Sequence, residues 1–225
     1  MGRAEGVVAR LLRQYERHWG PRSGDPFRSL VHIILSQNTS YINEMMAYEK
    51  FEREIGVTPR NIANATLEKI AQAIRSAGMH NHRSRVLKRL AGVIIERYDG
   101  EISPILKKDY PEAREELMSL PGVGRKTADV LLMFDAGKAV IPVDRHISRI
   151  AKRLELVRPK ASYDEIRRTI EAASIPERCV DVHVLMIRFG REVCKAQNPR
   201  CDTCFLSDLC PYRQKLMDRK EEIPP

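Results

Sequence analysis

The chain contains no run of about 18 or more apolar residues, so no segment reads as a membrane-spanning helix. Its first residues lack the apolar core of a signal peptide, which withdraws support from a secretory reading. No segment alternates polar and apolar residues with a period of two over strand length, and this argues against a β-sheet. Low-complexity tracts are absent as well. Cysteine is scarce, with five residues and none before Cys179. Four of the five fall within the 17 residues from Cys194 to Cys210. In a reducing compartment such clustering speaks for metal ligation more than for disulfides. The expected location is cytoplasmic and nucleoid-associated, or nuclear if the source is eukaryotic.

The 225 residues are 43% hydrophobic, enough to bury a substantial core in one or two domains. Lys and Arg total 39 against 30 Asp and Glu, a net charge of +9 that favours polyanionic partners without naming one. Between Arg188 and Lys220, eight basic residues stand against four acidic ones. The default reading of such a run is a solvated face, and contact with a polyanion is its alternative.

Helical periodicity covers nearly every segment, so the expected fold class is all-α. Gly2 to Trp19 places Val7, Val8, Leu11, Leu12 and Tyr15 on one face, and Gly20-Pro21 is expected to end that helix. Asp25 and Pro26 read as N-cap and first residue of a helix burying Phe27, Leu30, Val31, Ile34 and Leu35. After the polar break Leu35 to Tyr41, an apolar pattern resumes through Met45, Met46, Tyr48 and Phe51. Thr58-Pro59 and Thr66 read as caps of two short helices. A longer helix, about Asn81 to Tyr98, is expected to turn Leu87, Leu90 and Ile94 inward and Arg83, Arg85, Lys88 and Arg89 outward. Residues 101–110 read as a loop. Ser162 and Glu165 form a capping-box pattern, and a helix through Val180, Val184, Leu185 and Met186 follows Pro176. The tail from Asp218 onward is expected to fray.

Two stretches carry chemistry. In LPGVGRKTADVLLMF, Leu120 to Phe134, two helices flank the turn Pro121-Gly122-Val123-Gly124. Glycine permits positive φ and close approach, and the orphan amides of the second helix suit a phosphate. Such a turn is also simply a tight helix–helix connection. Lys126 follows at once, and on its own reads as a solvated lysine. The second stretch is Cys194-x6-Cys201-x2-Cys204-x5-Cys210. Four thiolates on a short loop suit a tetrahedral zinc or a [4Fe–4S] cluster, and the single C-x-x-C pair with two spread partners favours the cluster. Cys179, on an apolar helical face, reads as a core residue. Asp144 lies where a helix N-cap is expected.

The ordered set LPGVGRKTADV, VDRHISRIAKR from Val143 to Arg153, and the four-cysteine spacing closely resembles the endonuclease III branch of the helix-hairpin-helix DNA glycosylases. The resemblance implies two helical domains: a six-helix barrel at residues 25–138 carrying the hairpin, and an iron–sulfur cluster domain from residues 1–24 and 139–225. The active-site cleft would lie between them. It implies a bifunctional DNA glycosylase and AP lyase that removes oxidised pyrimidines from duplex DNA and cleaves 3′ to the abasic site by β-elimination. Lys126 would attack the deoxyribose C1′ and form the Schiff base. An amine attacks only when neutral, and a helix N-terminus in a partly desolvated cleft beside Arg125 favours that form. Asp144 would stabilise positive charge on the sugar or relay a proton.

The DNA contacts implied are Gln37, Asn38, Met79, Gly122, Val123, Gly124, Arg125 and His146. The Gln37-Asn38-Thr39 turn would plug the gap left by the extruded base, and Met79 would form an apolar wedge. His146 could equally pack. Tyr41 departs from the aspartate common at that place in bacterial members, which puts the lesion pocket in doubt. Cys194, Cys201, Cys204 and Cys210 would hold a [4Fe–4S] cluster that is structural or DNA-orienting. The implied partner is double-stranded DNA with damaged bases or abasic sites, met by a monomer without membrane attachment. Two rivals stand beside this reading. One is a glycosylase for mismatched uracil or thymine, or for adenine opposite 8-oxoguanine; the other is a non-catalytic DNA-binding module.

Overall fold

The computed structural model describes residues 2–15 and 24–221, the last four by their backbone alone. Among these residues no strand forms, and the chain is all-helical. It divides into two compact units: Pro21–Lys138, and a second that joins Met1–Gly20 to Ala139–Pro225. The chain opens with α1 (Arg3–Gln14), which buries Val7, Val8 and Leu11. The expected stop at Gly20-Pro21 lies outside the described residues.

The Pro21–Lys138 unit begins with α2 (Pro26–Ser36), capped as its sequence requires: the Asp25 carboxylate accepts from the Phe27 amide at 2.8 Å, and Pro26 stands where no donor is needed. The next helix is α3 (Tyr41–Glu54), capped by Ser40. Its buried residues are Ala47 and Phe51, whereas Met46 is exposed, contrary to the apolar pattern read through it. Thr58 and Thr66 cap α4 (Pro59–Asn64) and α5 (Leu67–Ala73), each hydroxyl accepting from an amide three residues on. Both helices pack on α6 (His80–Tyr98).

Two basic residues of α6 expected to face outward do not. Arg83 is 4% exposed, and the Lys88 ammonium donates to the carbonyls of Ala63 and Ala65 at 2.9 and 2.5 Å. Both are recruited by the unsatisfied carbonyls at the ends of other helices, where a cation also meets the negative end of the helix dipole. A short helix, α7 (Ser103–Lys107), replaces the expected loop; it buries Ile105 and Leu106.

The hairpin consists of α8 (Tyr110–Met118) and α9 (Arg125–Asp135). Its arms are locked by Asp129, whose side chain is fully buried. Arg114 Nε donates to Asp129 Oδ1 at 2.7 Å and the Tyr110 hydroxyl donates to the same oxygen at 2.9 Å. A buried carboxylate paired and hydrogen-bonded in this way fixes how the two arms lie against each other.

In the other unit, α1 shares a core with α10 (Arg145–Arg153), α11 (Tyr163–Ala172) and α12 (Cys179–Glu192), filled by Val7, Leu11, Ile147, Ile150, Ile166 and Phe189 among others. The capping box forms as read: Ser162 Oγ accepts from the Glu165 amide and Glu165 accepts from the Ser162 amide at 2.8 Å. Cys179 is a core residue, and burial pushes its thiol up to about 11. Helix α13 (Pro211–Glu221) carries regular structure past Asp218, where fraying was expected; residues beyond Glu221 lie outside the described set.

Candidate active site and cluster loop

The hairpin turn divides its amides by role. The Val123 amide donates back to the Leu120 carbonyl at 3.2 Å and the Val123 side chain is 6% exposed, so this residue closes the turn from within. The amides of Gly122 and Gly124 make no hydrogen bond among the described residues. They stand with the orphan amides of α9, whose first internal bond is Ala128 N–H to Gly124 O at 3.0 Å. Gly122 has φ +79°, and a Cβ there would lie 2.4 Å from Val86 Cγ1. Its lack of a side chain therefore serves packing of the turn on α6. Gly124 has φ −96° with open space around it, so the positive φ expected there is not needed.

Lys126 is the second residue of α9 and is exposed. Next to it, Thr127 is 5% exposed and Thr127 Oγ1 accepts from Gln37 Nε2 at 3.3 Å. Gln37 is thus pinned by its side chain, while Asn38 beside it holds φ +53°. Met79, at φ +48°, precedes α6 and is 59% exposed. Left-handed backbone at two non-glycine residues costs energy and marks places where the fold imposes a conformation. Tyr41 and Ile42, on the first turn of α3, are 72% and 70% exposed. Arg125 is exposed.

In the second unit, Asp144 realises the N-cap reading. Its Oδ1 accepts from the amides of His146 and Ile147 at 2.8 and 2.9 Å, while Oδ2 makes no hydrogen bond among the described residues. The extended segment leading to it is tied one backbone group at a time. Ile141 N–H donates to Glu171 at 2.9 Å, His183 Nδ1–H to the Pro142 carbonyl at 2.9 Å, and Val143 N–H to the Tyr163 hydroxyl at 3.2 Å. These ties hold the half-buried carboxylate still. His146 packs its ring on Gly190, where a Cβ would come within 2.8 Å of His146 Cβ, and its Nδ1 lies 3.0 Å from Arg149 Nη2. Burial lowers its pKa, outweighing the opposing pull of Asp144.

The four cysteines Cys194, Cys201, Cys204 and Cys210 line one pocket with Leu154, Phe189 and Leu206. Burial raises the Cys204 thiol to about 11, and the neighbouring thiols add to the rise; burial and then Cys210 and Cys194 likewise raise Cys201. Thiols raised in this way ionise together only beside a strongly cationic centre. Two N–H groups are aimed at sulfur: Arg153 Nη1 to Cys194 Sγ and Leu206 N to Cys204 Sγ, both at 3.4 Å. The donor set and these sulfur-directed donors fit an iron–sulfur cluster. Arg149 and Arg153 also stitch α10 to the loop, donating to the carbonyls of Cys194 at 3.0 Å and Lys195 at 2.6 Å.

The family model described as the HhH-GPD superfamily base excision DNA repair protein matches residues 31–174. The chain belongs to that superfamily, in its endonuclease III branch. A model of the iron–sulfur binding domain of endonuclease III matches residues 194–210, beginning and ending on the first and last of the four cysteines. Endonuclease III of Thermotoga maritima is 30% identical, covering 94% of this chain and 93% of the relative. Endonuclease III of Bacillus subtilis is 35% identical over 85% and 83%. A solved structure of a trapped endonuclease III–DNA covalent intermediate, in its estranged-adenine complex, superposes with a TM-score of 0.83 at 32% identity, covering 96% of this chain and all of that one. This superfamily member is an enzyme, a DNA glycosylase of base excision repair, and it carries a [4Fe–4S] cluster. No helix among its described residues is long and apolar enough to cross a membrane.

Several residues that shape the site were given no role by sequence: Asp129, Glu171, His183, Arg149 and Arg153, and also Arg83, which was read as facing solvent. Each is a polar side chain on a helix with a partner 15 or more residues away. The buried polar pair Asp181 and His183 interrupts the apolar face of α12, and that interruption is the signal a sequence reading can use.

Proposed function

We propose that the chain is a bifunctional DNA glycosylase and AP lyase acting on oxidised pyrimidines in duplex DNA, with Lys126 as the nucleophile and Asp144 as its acidic partner. The observation that carries the reading is Lys126 on the exposed first turn of α9, beside the unsatisfied amides of Gly122 and Gly124. Those amides suit one backbone phosphate, held without reading sequence. They would bring the sugar of the adjoining nucleotide to the lysine. The trapped covalent DNA intermediate of a structurally similar endonuclease III is consistent with a lysine that bonds to its substrate.

In this mechanism neutral Lys126 Nζ attacks C1′ and the damaged base departs with the electron pair of the glycosidic bond. The C1′–O4′ bond then opens, O4′ takes up a proton given up by Nζ, and a protonated Schiff base forms; this acidifies C2′–H, and loss of that proton forms the C2′–C3′ double bond and expels the 3′ phosphate. Asp144 Oδ2, not used in capping, faces the positive charge that develops on the sugar and relays the lysine proton. Lys126 is exposed in the protein alone, so bound DNA has to supply the desolvation that favours a neutral amine, aided by the positive end of α9. Cys194, Cys201, Cys204 and Cys210 would hold the cluster, on a loop that Arg149 and Arg153 tie to α10.

Borohydride reduction tests the reading. A duplex carrying thymine glycol or an abasic site is expected to give a covalent adduct with the wild-type enzyme and none with Lys126→Ala. No adduct with wild type, or an undiminished one with the variant, overturns the lyase assignment. A parallel panel with uracil, a T/G mismatch and 8-oxoguanine ranks the substrates.

A further inference from the structure

Arg83 does more in this fold than close a helix end. Its guanidinium is buried, yet among the described residues it bonds no carboxylate. Nη1 donates to the Leu35 carbonyl at 2.5 Å and Nη2 donates to the carbonyl of Gln37. Those two acceptors bracket the end of α2, directly before Asn38. On its own helix the Arg83 amide donates to the Met79 carbonyl at 2.9 Å, one of the first bonds of α6. One residue is therefore bonded on its backbone to the Met79 turn and on its side chain to the Asn38 turn. Both turns are held at positive φ by non-glycine residues, at 53° and 48°.

Simple capping does not explain an arginine here. A helix C-terminus is closed by glycine or asparagine in the left-handed conformation, or by a solvated lysine, without burying a charge. Burying a cation away from any anion carries a desolvation penalty of several kcal/mol, which only well-aimed partners offset. What a planar guanidinium adds is a fork of fixed width that reaches two acceptors at once and sets their distance and angle. The turn gripped by that fork is further restrained by Gln37 Nε2 on Thr127 Oγ1, at 3.3 Å.

We propose that Arg83 is a positioning residue for base extrusion: it sets the register between the Asn38 turn and the Met79 turn so that both enter the duplex together. This rests on the assignment of Asn38 and Met79 as the residues that fill and wedge the duplex. Separately, each turn is a short strained segment free to relax. Joined through Arg83, they form one rigid tool with two tips.

The test measures extrusion apart from chemistry. Fluorescence of 2-aminopurine placed beside a thymine glycol reports unstacking in the holoenzyme–duplex complex, and β-elimination at a preformed abasic site in a single strand reports chemistry that needs no extrusion. Arg83→Met is expected to reduce the fluorescence change at least tenfold. Arg83→Lys keeps the charge but not the fork; it folds and loses about threefold. Single-strand elimination should stay within about twofold of wild type in Arg83→Lys. Full extrusion by Arg83→Lys together with a folded, fully extruding Arg83→Met overturns the proposal, as does an equal fall of both readouts in Arg83→Lys. Asn38→Ala and Met79→Ala serve as controls on the assignment itself. If neither lowers the fluorescence change, it is the wedge assignment that falls, and the Arg83 proposal falls with it. If they lower it and the Arg83 variants do not, only the Arg83 proposal fails.

Discussion

Asp144 presents a sharp experimental division, because one carboxylate is asked to do two jobs with two different oxygens. Oδ1 accepts two amides at the start of α10, at 2.8 and 2.9 Å, and Oδ2, which makes no hydrogen bond among the described residues, is the oxygen proposed to face substrate. Asp144→Ala removes both functions. Loss of the cap costs about 1 kcal/mol, within a usual range of roughly 0.5–2, and loss of a negative charge at the helix N-terminus adds about 0.3–1. For a protein of this size that lowers the unfolding midpoint by a few degrees. Asp144→Asn separates the functions: asparagine caps nearly as well as aspartate, so its stability should stay within about 0.5 kcal/mol of wild type. The charge proposed to face the sugar is nevertheless gone.

Removing a preorganised group that stabilises transition-state charge costs about 100- to 1000-fold in rate. Both variants should therefore show excision of thymine glycol slowed by about that factor under single-turnover conditions, while duplex affinity stays within a few-fold and only Asp144→Ala unfolds early. The tethers from Glu171, His183 and Tyr163 hold the backbone of residues 141–143 in either variant, so the comparison is made on an unaltered frame. Excision by Asp144→Asn within about threefold of wild type refutes the catalytic role and leaves Asp144 a helix cap. A slow Asp144→Ala beside a fast Asp144→Asn refutes it equally, since the cap alone then explains the loss.

Gly122→Ala should destabilise the protein by about 2 kcal/mol or more in denaturant unfolding, because it adds left-handed strain to an overlap with Val86. Gly124→Ala, in open space at negative φ, should instead weaken duplex binding with a stability change near 1 kcal/mol, measured by titration of labelled DNA. Arg114→Ala strands the buried Asp129 carboxylate with the Tyr110 hydroxyl as its remaining partner of those two, and about 3–5 kcal/mol of stability should be lost in the same unfolding assay. Glu165 is held down to about 2 by the Ser162 amide, then the Ser162 hydroxyl and Arg158. A carboxylate depressed on folding stabilises above its unfolded value of 4.5 and ceases to do so as pH falls through about 2. Glu165→Gln should accordingly lower stability at neutral pH and flatten the acid limb of the stability profile between those values, so that the two proteins converge below about pH 2.

What was legible in the sequence, and what was not, divides along one physical line. The caps Asp25, Thr58, Thr66 and the Ser162–Glu165 box form as read, because a cap and the amides it satisfies lie within three residues of each other. The hairpin arms and the core position of Cys179 also follow from local pattern. The misreadings concern polar groups whose partners arrive from elsewhere in the chain. Arg83 lies on a helical face that reads as solvated, yet it is drawn inside by carbonyls 46 and 48 residues away. His183 sits on an apolar face for the sake of a carbonyl 41 residues back. Neither demand appears in a window of ten residues. It is created when packing buries a helix end or an extended segment whose own backbone groups lack partners, and it then recruits whatever donor the facing helix offers. The short α7 was missed for a related reason: five residues with a proline in the first turn are too few to show a period, and burial of Ile105 and Leu106 holds them helical. Long-range polar recruitment surrounds the parts assigned to DNA: Arg83 behind Asn38 and Met79, Asp129 behind Lys126, and His183 behind Asp144. A site that must hold strained backbone and an exposed lysine in place needs anchors outside the local helix, and such anchors are visible only once the fold has brought them together.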